Sequence, residues 1–238
     1  MDIALIGYGK MGQAIEAIAV ERGHTIVLKI NDENLDDFTK ENVTKADVAI
    51  EFTSPHSAFN NIKKLIGYGV PVVCGSTGWT ERINAINKYC KQQKGSFLYA
   101  SNFSVGVNLF FELNKKLAKL MAPHTEYNVS MEEIHLTQKK DAPSGTAITL
   151  AEQLLKRSNQ KTKWVNQESS NASELSILSK REDPAPGTHR VKYSSPVDDI
   201  EIIHTANNRK GFALGAVLAA EFIKDKKGVF SMKEVLGL

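Results

Sequence analysis

The sequence predicts an α/β protein in two parts, a parallel-sheet domain followed by a second α+β domain with an open mixed sheet. Three observations carry this expectation. Short, nearly all-apolar runs alternate with helix-patterned stretches as far as Ala100. A glycine-rich turn joins the first of these runs to the first helix. Beyond Val105 the pattern changes to strands with two unlike faces.

The elements follow in order. Ile3-Ala4-Leu5-Ile6 is a strand, Met11 to Arg22 has helical spacing, and Thr25 to Ile30 is β-rich, so the chain opens with a βαβ unit. The rhythm continues through Val48 to Phe52, a helix after Pro55, Val70 to Cys74, a helix from Thr80 to Gln93, and Phe97 to Ala100. Strands covered by helices on both faces are apolar on both faces, which is why these runs scarcely alternate. Val105 to Met121 reads as a longer helix. Tyr127 to His135 then sets Val129, Met131, Glu133 and His135 against Ser130, Glu132 and Ile134, the signature of a half-buried strand. A helix from Ser144 to Arg157, a polar stretch, strands at Leu175 to Leu178, His189 to Tyr193 and Ile200 to Thr205, and a final amphipathic helix from Gly211 to Lys224 complete the reading.

Composition narrows the class of function. Hydrophobic residues make up 42% of the 238, ample for a core without staples. Thirty basic against twenty-seven acidic residues give a net charge of +3, and no Lys/Arg-rich run marks a nucleic-acid footprint. Cys74 and Cys90 form no metal-spaced or redox motif and read as reduced packing residues. The chain starts directly on a strand pattern and no apolar run approaches bilayer-spanning length, so a soluble cytoplasmic protein with no membrane partner is expected.

Gly7-Tyr8-Gly9-Lys10-Met11-Gly12 follows a strand and opens a helix, the context in which GxGxxG marks a Rossmann-type dinucleotide site. Gly7 permits the tight turn, Gly9 lets the backbone approach a pyrophosphate at a helix N-terminus, and Gly12 allows close helix-strand packing. About 20 residues on, where an acid would bind the ribose, stand Asn31 and Asp32. Asp32 facing the ribose would repel a 2′-phosphate, whereas Lys10 would attract one, so NADH and NADPH both stay open. Asn31 and Asp32 equally suit a loop-initiating turn. Phe52-Thr53 and Gly75-Ser76-Thr77-Gly78 fall past the carboxyl ends of strands, where open α/β sheets bind ligands, although the second segment also suits a plain turn.

The candidate chemistry lies between His135 and Thr146. Glu133 and His135 share a strand face, and Lys139 follows after a short polar stretch, so all three are expected to converge. Asp141-Ala142-Pro143 gives way to Ser144-Gly145-Thr146-Ala147, a helix start whose N–H groups at Gly145 and Thr146, with the Thr146 hydroxyl and the Lys139 ammonium, suit an anionic substrate. Hydride addition to a C=N or C=O bond requires a proton, and His135 is the candidate donor. The same residues also fit an ordinary strand histidine, a solvated lysine turn and a simple N-cap. A Glu132-x-x-His135 metal pair is disfavoured because strand geometry puts the two on opposite faces, and no metal is expected. From these residues alone, a different hydride-transfer enzyme and a nucleotide-sensing module remain open.

Five segments together, Gly7 to Gly12, Phe52-Thr53, Gly75 to Gly78, Ser101-Asn102-Phe103-Ser104-Val105-Gly106-Val107-Asn108 and Asp141 to Ala147, resemble the 4-hydroxy-tetrahydrodipicolinate reductase family. The resemblance spans most of the chain. It implies reduction of a small cyclic dicarboxylate with NADH or NADPH in the diaminopimelate route to lysine. It implies His135 as general acid, Lys139 as a substrate ligand that also polarises the reacting centre, and Ser144, Gly145 and Thr146 as the second anion grip. It further implies nicotinamide contacts around Ser101, Asn102 and Phe103 and a homotetramer built by the second sheet. The expected division is residues 1–104 with 208–238 as the dinucleotide-binding domain and 105–207 as the substrate-binding and oligomerisation domain. The chain departs from the family pattern at Leu136 and Gln138, where histidines are common, and at Asn31, which stands in place of a ribose-binding acid.

Overall fold

The computed structural model describes residues 1–208 and 210–238; Arg209, inside the 208–238 segment assigned above, lies outside the described residues. In chain order the elements are β1 (Asp2–Ile6), α1 (Lys10–Glu21), β2 (Thr25–Ile30), α2 (Lys40–Val43), β3 (Val48–Glu51), α3 (Pro55–Gly67), β4 (Val72–Cys74), α4 (Ile83–Gln92), β5 (Ser96–Tyr99), α5 (Val105–Met121), β6 (Asn128–His135), α6 (Gly145–Leu155), β7 (Lys163–Val165), β8 (Glu174–Arg181), β9 (Gly187–Ser194), β10 (Asp199–Ala206), α7 (Lys210–Ile223), β11 (Gly228–Phe230) and α8 (Met232–Leu236). They group into two compact units, Met1–Val105 with Lys210–Leu238, and Gly106–Arg209.

The first unit is built on a six-stranded parallel sheet in the order β11-β5-β4-β3-β1-β2. Successive residues of a strand point to opposite faces, and here both faces are buried. Ala4, Ile6 and Ala49 join one apolar cluster with α3 and α4, while Ile3, Leu5, Val48 and Ile50 join another with α1 and α7. The chain runs from β1 to β2 on one side and then returns to β3 on the other, so the topological switch lies between the ends of β1 and β3.

Two features of this unit correct the sequence reading. The helix from Lys210 is not amphipathic: Ala213, Gly215, Ala216, Val217, Ala219, Ala220 and Ile223 are buried over most of its circumference, because small residues let it lie close to the sheet and α1. Nor is it the last element. β11 adds a strand parallel to β5, and α8 follows behind a capping box of Ser231 and Glu234, a signal the sequence carried in Ser231-x-x-Glu234.

The second unit has a five-stranded mixed sheet, order β10-β9-β6-β8-β7, in which β6 is antiparallel to β9 and parallel to β8. Helices α5 and α6 supply Phe110, Ala118, Ala147, Leu150 and Leu154 to its core, where they meet Val129, Met131, Ile177 and Val191. The opposite sheet face carries ion pairs between neighbouring strands, Lys180–Glu132 at 2.5 Å and Lys192–Asp199 at 2.7 Å among them. Strand β7, three residues inside the polar stretch, escaped the sequence reading because it is too short to show alternation. Cys74 and Cys90 are free and buried, as expected.

Candidate active site

In the first unit the glycine loop is shaped by packing. Gly7 has φ +96°, a conformation that L side chains avoid, and its N–H and that of Tyr8 both donate to the Ile30 carbonyl, at 2.9 and 3.0 Å. A Cβ on Gly12 would stand 2.4 Å from the Gly7 carbonyl oxygen, so the first turn of α1 lies directly on the loop. Around Gly9, by contrast, a Cβ would meet nothing within 4 Å. The N-terminal turn of α1 thus faces open space at Gly9, which is the fit a pyrophosphate requires. A cleft of about 510 Å³ opens there, with Gly7, Gly9, Asn31, Asp32, Thr53 and Ser57 in its wall.

Other expected cofactor residues are placed unevenly. Tyr8 also lines the cleft, and its hydroxyl donates to Glu16, which is paired with Lys29 at 2.6 Å. Lys10 is exposed at the first position of α1, and Met11 is partly buried against the core beside Gly12. Asn31 is committed to a turn, since its side-chain oxygen accepts from Glu33 N at 2.9 Å, whereas Asp32 is exposed. Phe52 lines the cleft, and the Thr53 N–H donates to Ser76 Oγ at 2.7 Å, which joins the ends of β3 and β4. Gly75 accommodates the Phe52 ring, 2.1 Å from where its Cβ would stand, and Thr77 is exposed. Ser101 is exposed and Asn102 half-buried, but the Phe103 ring is in the core against Phe52, at 5.6 Å, and its carbonyl oxygen lies against α7, 1.7 Å from where a Cβ on Gly215 would stand.

In the second unit, Glu133 and His135 face the same way from β6, as alternation predicted, and both are buried. Glu133 is fully enclosed. Both of its carboxylate oxygens accept the Ser144 N–H, at 3.0 and 3.1 Å, and Oε1 accepts the Ser179 hydroxyl at 2.7 Å. Burial works against its charge, but these donors prevail and hold the carboxyl below the usual range. His135 Nδ1 lies 3.3 Å from Glu133 Oε2, close but off the line of a hydrogen bond. On the other side of the ring, Gly187 provides room, since a Cβ there would stand 3.2 Å from Nε2. Burial lowers the His135 pKa, Glu133 opposes this, and the Lys139 and Arg181 cations lower it further.

Ser144 caps α6 by accepting from Ala147 N at 3.2 Å, so Gly145 and Thr146 form the first turn of the helix, as expected. Space is open around Gly145. Lys139 is held at 2.8 and 2.9 Å by the two oxygens of Asp141, and Arg181 fastens the loop by donating to the Lys139 and Asp141 carbonyls, at 3.3 and 2.5 Å.

Several neighbours went unseen in the sequence. His189, on β9, packs edge-on against His135 at 5.0 Å, lies 3.2 Å from Ser144 Oγ through Nε2, and is driven down to about 4 chiefly by burial and also by His135. Arg181 and Ser179 come from β8. Their parity along β8 and β9 was the available signal, but pairing with β6 is a long-range fact. Ligand-type atoms of Glu133, His135 and His189 lie within 4.8 Å of one another, so the acid beside His135 is Glu133 rather than the Glu132 weighed above. The Glu133 oxygens are taken by Ser144 and Ser179, with the Arg181 guanidinium 3.7 Å away, and His189 reaches Ser144, so Glu133 and His189 are joined through Ser144 while His135 stands beside them.

A parallel sheet with a glycine-shaped cleft at its switch point and a separate buried imidazole beside a helix start define an NAD(P)H-dependent oxidoreductase. The family described as dihydrodipicolinate reductase, N-terminus, matches residues 1–103, and that described as dihydrodipicolinate reductase, C-terminus, matches 106–236. The chain belongs to the dihydrodipicolinate reductase family. It is 51% identical to a 4-hydroxy-tetrahydrodipicolinate reductase of Christiangramia forsetii, over 99% of this chain and 98% of that one. It is 34% identical to one of Methanocaldococcus jannaschii, over 98% of this chain and 81% of that one. Among solved structures, a dipicolinate-bound dihydrodipicolinate reductase from Paenisporosarcina sp. TG-14 shares the fold, with a TM-score of 0.77, 22% identity and 98% of each chain covered.

Proposed function

We propose that this chain reduces 4-hydroxy-tetrahydrodipicolinate to tetrahydrodipicolinate with NADH or NADPH, in the diaminopimelate route to lysine. The carrying observation is the buried His135 flanked by the α6 N-terminus and Lys139, a proton donor between two anion-binding features in a chain of this family. Replacing a ring hydroxyl by hydrogen consumes one hydride and one proton and releases water, so the site must hold a proton. Bound NAD(P)H supplies the hydride. His135 supplies the proton from Nε2, the ring nitrogen turned away from Glu133. Lys139 exchanges Asp141 for one substrate carboxylate, while Ser144, Gly145 and Thr146 at the start of α6 bind the other. A dianionic substrate also raises the pKa of His135 as it binds, which favours the protonated form when it is needed.

In the same reading, residues 1–104 with 208–238 bind the dinucleotide through Gly7 to Gly12, Asp32, Phe52, Thr53, Gly75 to Thr77 and Ser101 to Phe103. Residues 105–207 bind substrate and carry the contacts of a homotetramer, for which the ion-paired outer face of the mixed sheet, with Ile203 half-exposed, is the support. Reduced Cys74 and Cys90 accord with a cytoplasmic setting, and among the described residues no helix is long and apolar enough to cross a membrane. The test is oxidation of NADH and of NADPH by the purified protein with enzymatically generated 4-hydroxy-tetrahydrodipicolinate. Turnover is expected; none with either cofactor overturns the assignment.

A further inference from the structure

The buried carboxylate of Glu133 touches both halves of the proposed substrate site. Its two oxygens receive the N–H of Ser144, the cap of the helix whose first turn is the anion grip, and Oε2 stands 3.3 Å from Nδ1 of the proton donor. A fully buried carboxylate is costly unless its oxygens are satisfied, and Ser144 and Ser179 satisfy them while keeping the charge in place. An isolated structural acid would need only its donors. This one is also turned toward a titrating imidazole, with His189 Nε2 3.7 Å from the same oxygen.

We infer that Glu133 is a positioning residue for the reaction, its charge favouring the protonated form of His135 against the burial and cations around it and its oxygens fixing the start of α6 beside that donor. The inference rests on the assignment of His135 as the proton donor. The charged and titratable groups facing His135 are Glu133 on its own strand, Arg181 on β8, His189 on β9, and Lys139 and Asp141 in the loop after β6. Glu133 and Asp141 favour the imidazolium; Lys139, Arg181 and any protonated His189 oppose it. Of the two favouring charges Glu133, 3.3 Å from Nδ1, acts the more strongly, and in a site this enclosed an opposite charge at such a distance moves a pKa by about one to three units.

Glu133→Gln is the discriminating variant, because its amide oxygen still accepts from Ser144 N while the charge is gone. The chain has six histidines, so selective histidine labelling gives a small set of imidazole resonances, with His135 assigned by its loss in His135→Gln. In Glu133→Gln the His135 titration is expected to move to lower pH by about one unit or more, and the basic limb of kcat/KM to move with it. NADPH affinity, a property of the other unit, is expected to be unchanged. A fall in activity by the same factor at every pH, with the His135 titration unmoved, overturns the inference. If Glu133→Gln does not fold, Ser179→Ala serves: it strips one donor from an ionised Glu133 and leaves the charge less compensated, so the His135 titration should move upward, and no movement overturns the inference. The two assignments fail separately. Near-normal kcat in His135→Gln removes the donor role of His135, whereas an unmoved titration in Glu133→Gln removes only that of Glu133.

Discussion

The carbonyl oxygen of Phe52 lies 2.0 Å from the point where a Cβ on Gly7 would stand. The ends of β1 and β3 are therefore in contact at the switch point of the sheet, and the cleft proposed for the cofactor begins where they meet. Gly7→Ala should destabilise the protein by about 2 to 4 kcal/mol, combining backbone strain at φ +96° with the clash. Gly9→Ala meets no protein atom and should leave Tm nearly unchanged. It should nevertheless weaken NADPH binding on the order of tenfold, because the methyl enters the space proposed for the pyrophosphate. Denaturation and fluorescence titration of the two variants check the split, and equal effects on both properties would count against the cleft.

His135→Gln should lower kcat by roughly 10²-fold or more while cofactor affinity is retained, as loss of a proton donor requires. Steady-state kinetics with cofactor binding measured separately decides this.

Arg181→Met removes the donors to the Lys139 and Asp141 carbonyls without touching either side chain's charge. The loop then presents Lys139 less precisely, so KM for substrate should rise about tenfold. Lys139→Ala should raise KM and lower kcat together, since an anion ligand near the reacting centre acts in both states. If Arg181→Met leaves KM unaltered, the loop is positioned by other contacts.

His189 gives the protein a defined sensitivity to acid. Its pKa falls from 6.5 in the unfolded chain to about 4 in the fold, so between those values the unfolded chain binds the extra proton. Its contribution to stability is complete above pH 6.5 and is lost as pH falls toward 4. At pH 5 the loss is about 2 kcal/mol. Urea denaturation at pH 7 and pH 5 should show this difference, and His189→Gln, which retains a polar side chain facing Ser144, should shrink it. The same pH dependence in both proteins would assign the effect to other groups.

Much of the site was legible because local rules act over a few residues. Alternation from Val129 to His135 placed Glu133 and His135 on one face, and Ser144-Gly145-Thr146 announced a helix start that the structure contains. The partners of these residues were not legible. Ser179 and Arg181 are nearly fifty residues from Glu133 in sequence, and they reach it because β8 pairs in parallel with β6, with Glu133 opposite Ser179. His189 arrives by antiparallel pairing on the other side, opposite the same Glu133. Short elements were hidden for a different reason: β7 and β11 have three residues each, too few for a period to show, and they form because a neighbouring strand offers an edge.

The sequence by itself determined the parallel-sheet unit, the glycine loop and the helix start, because periodicity, glycine conformation and capping are written in neighbouring residues. It also placed a histidine and a lysine in one segment. Only the tertiary structure decided that His135 is buried against Glu133 and His189, that Lys139 is held by Asp141 on a loop fastened by Arg181, and that the space beside Gly9 is empty while that beside Gly7 is filled. Those are matters of strand register and of which chain segments meet, and they set the desolvation and charge around His135, the proposed proton donor.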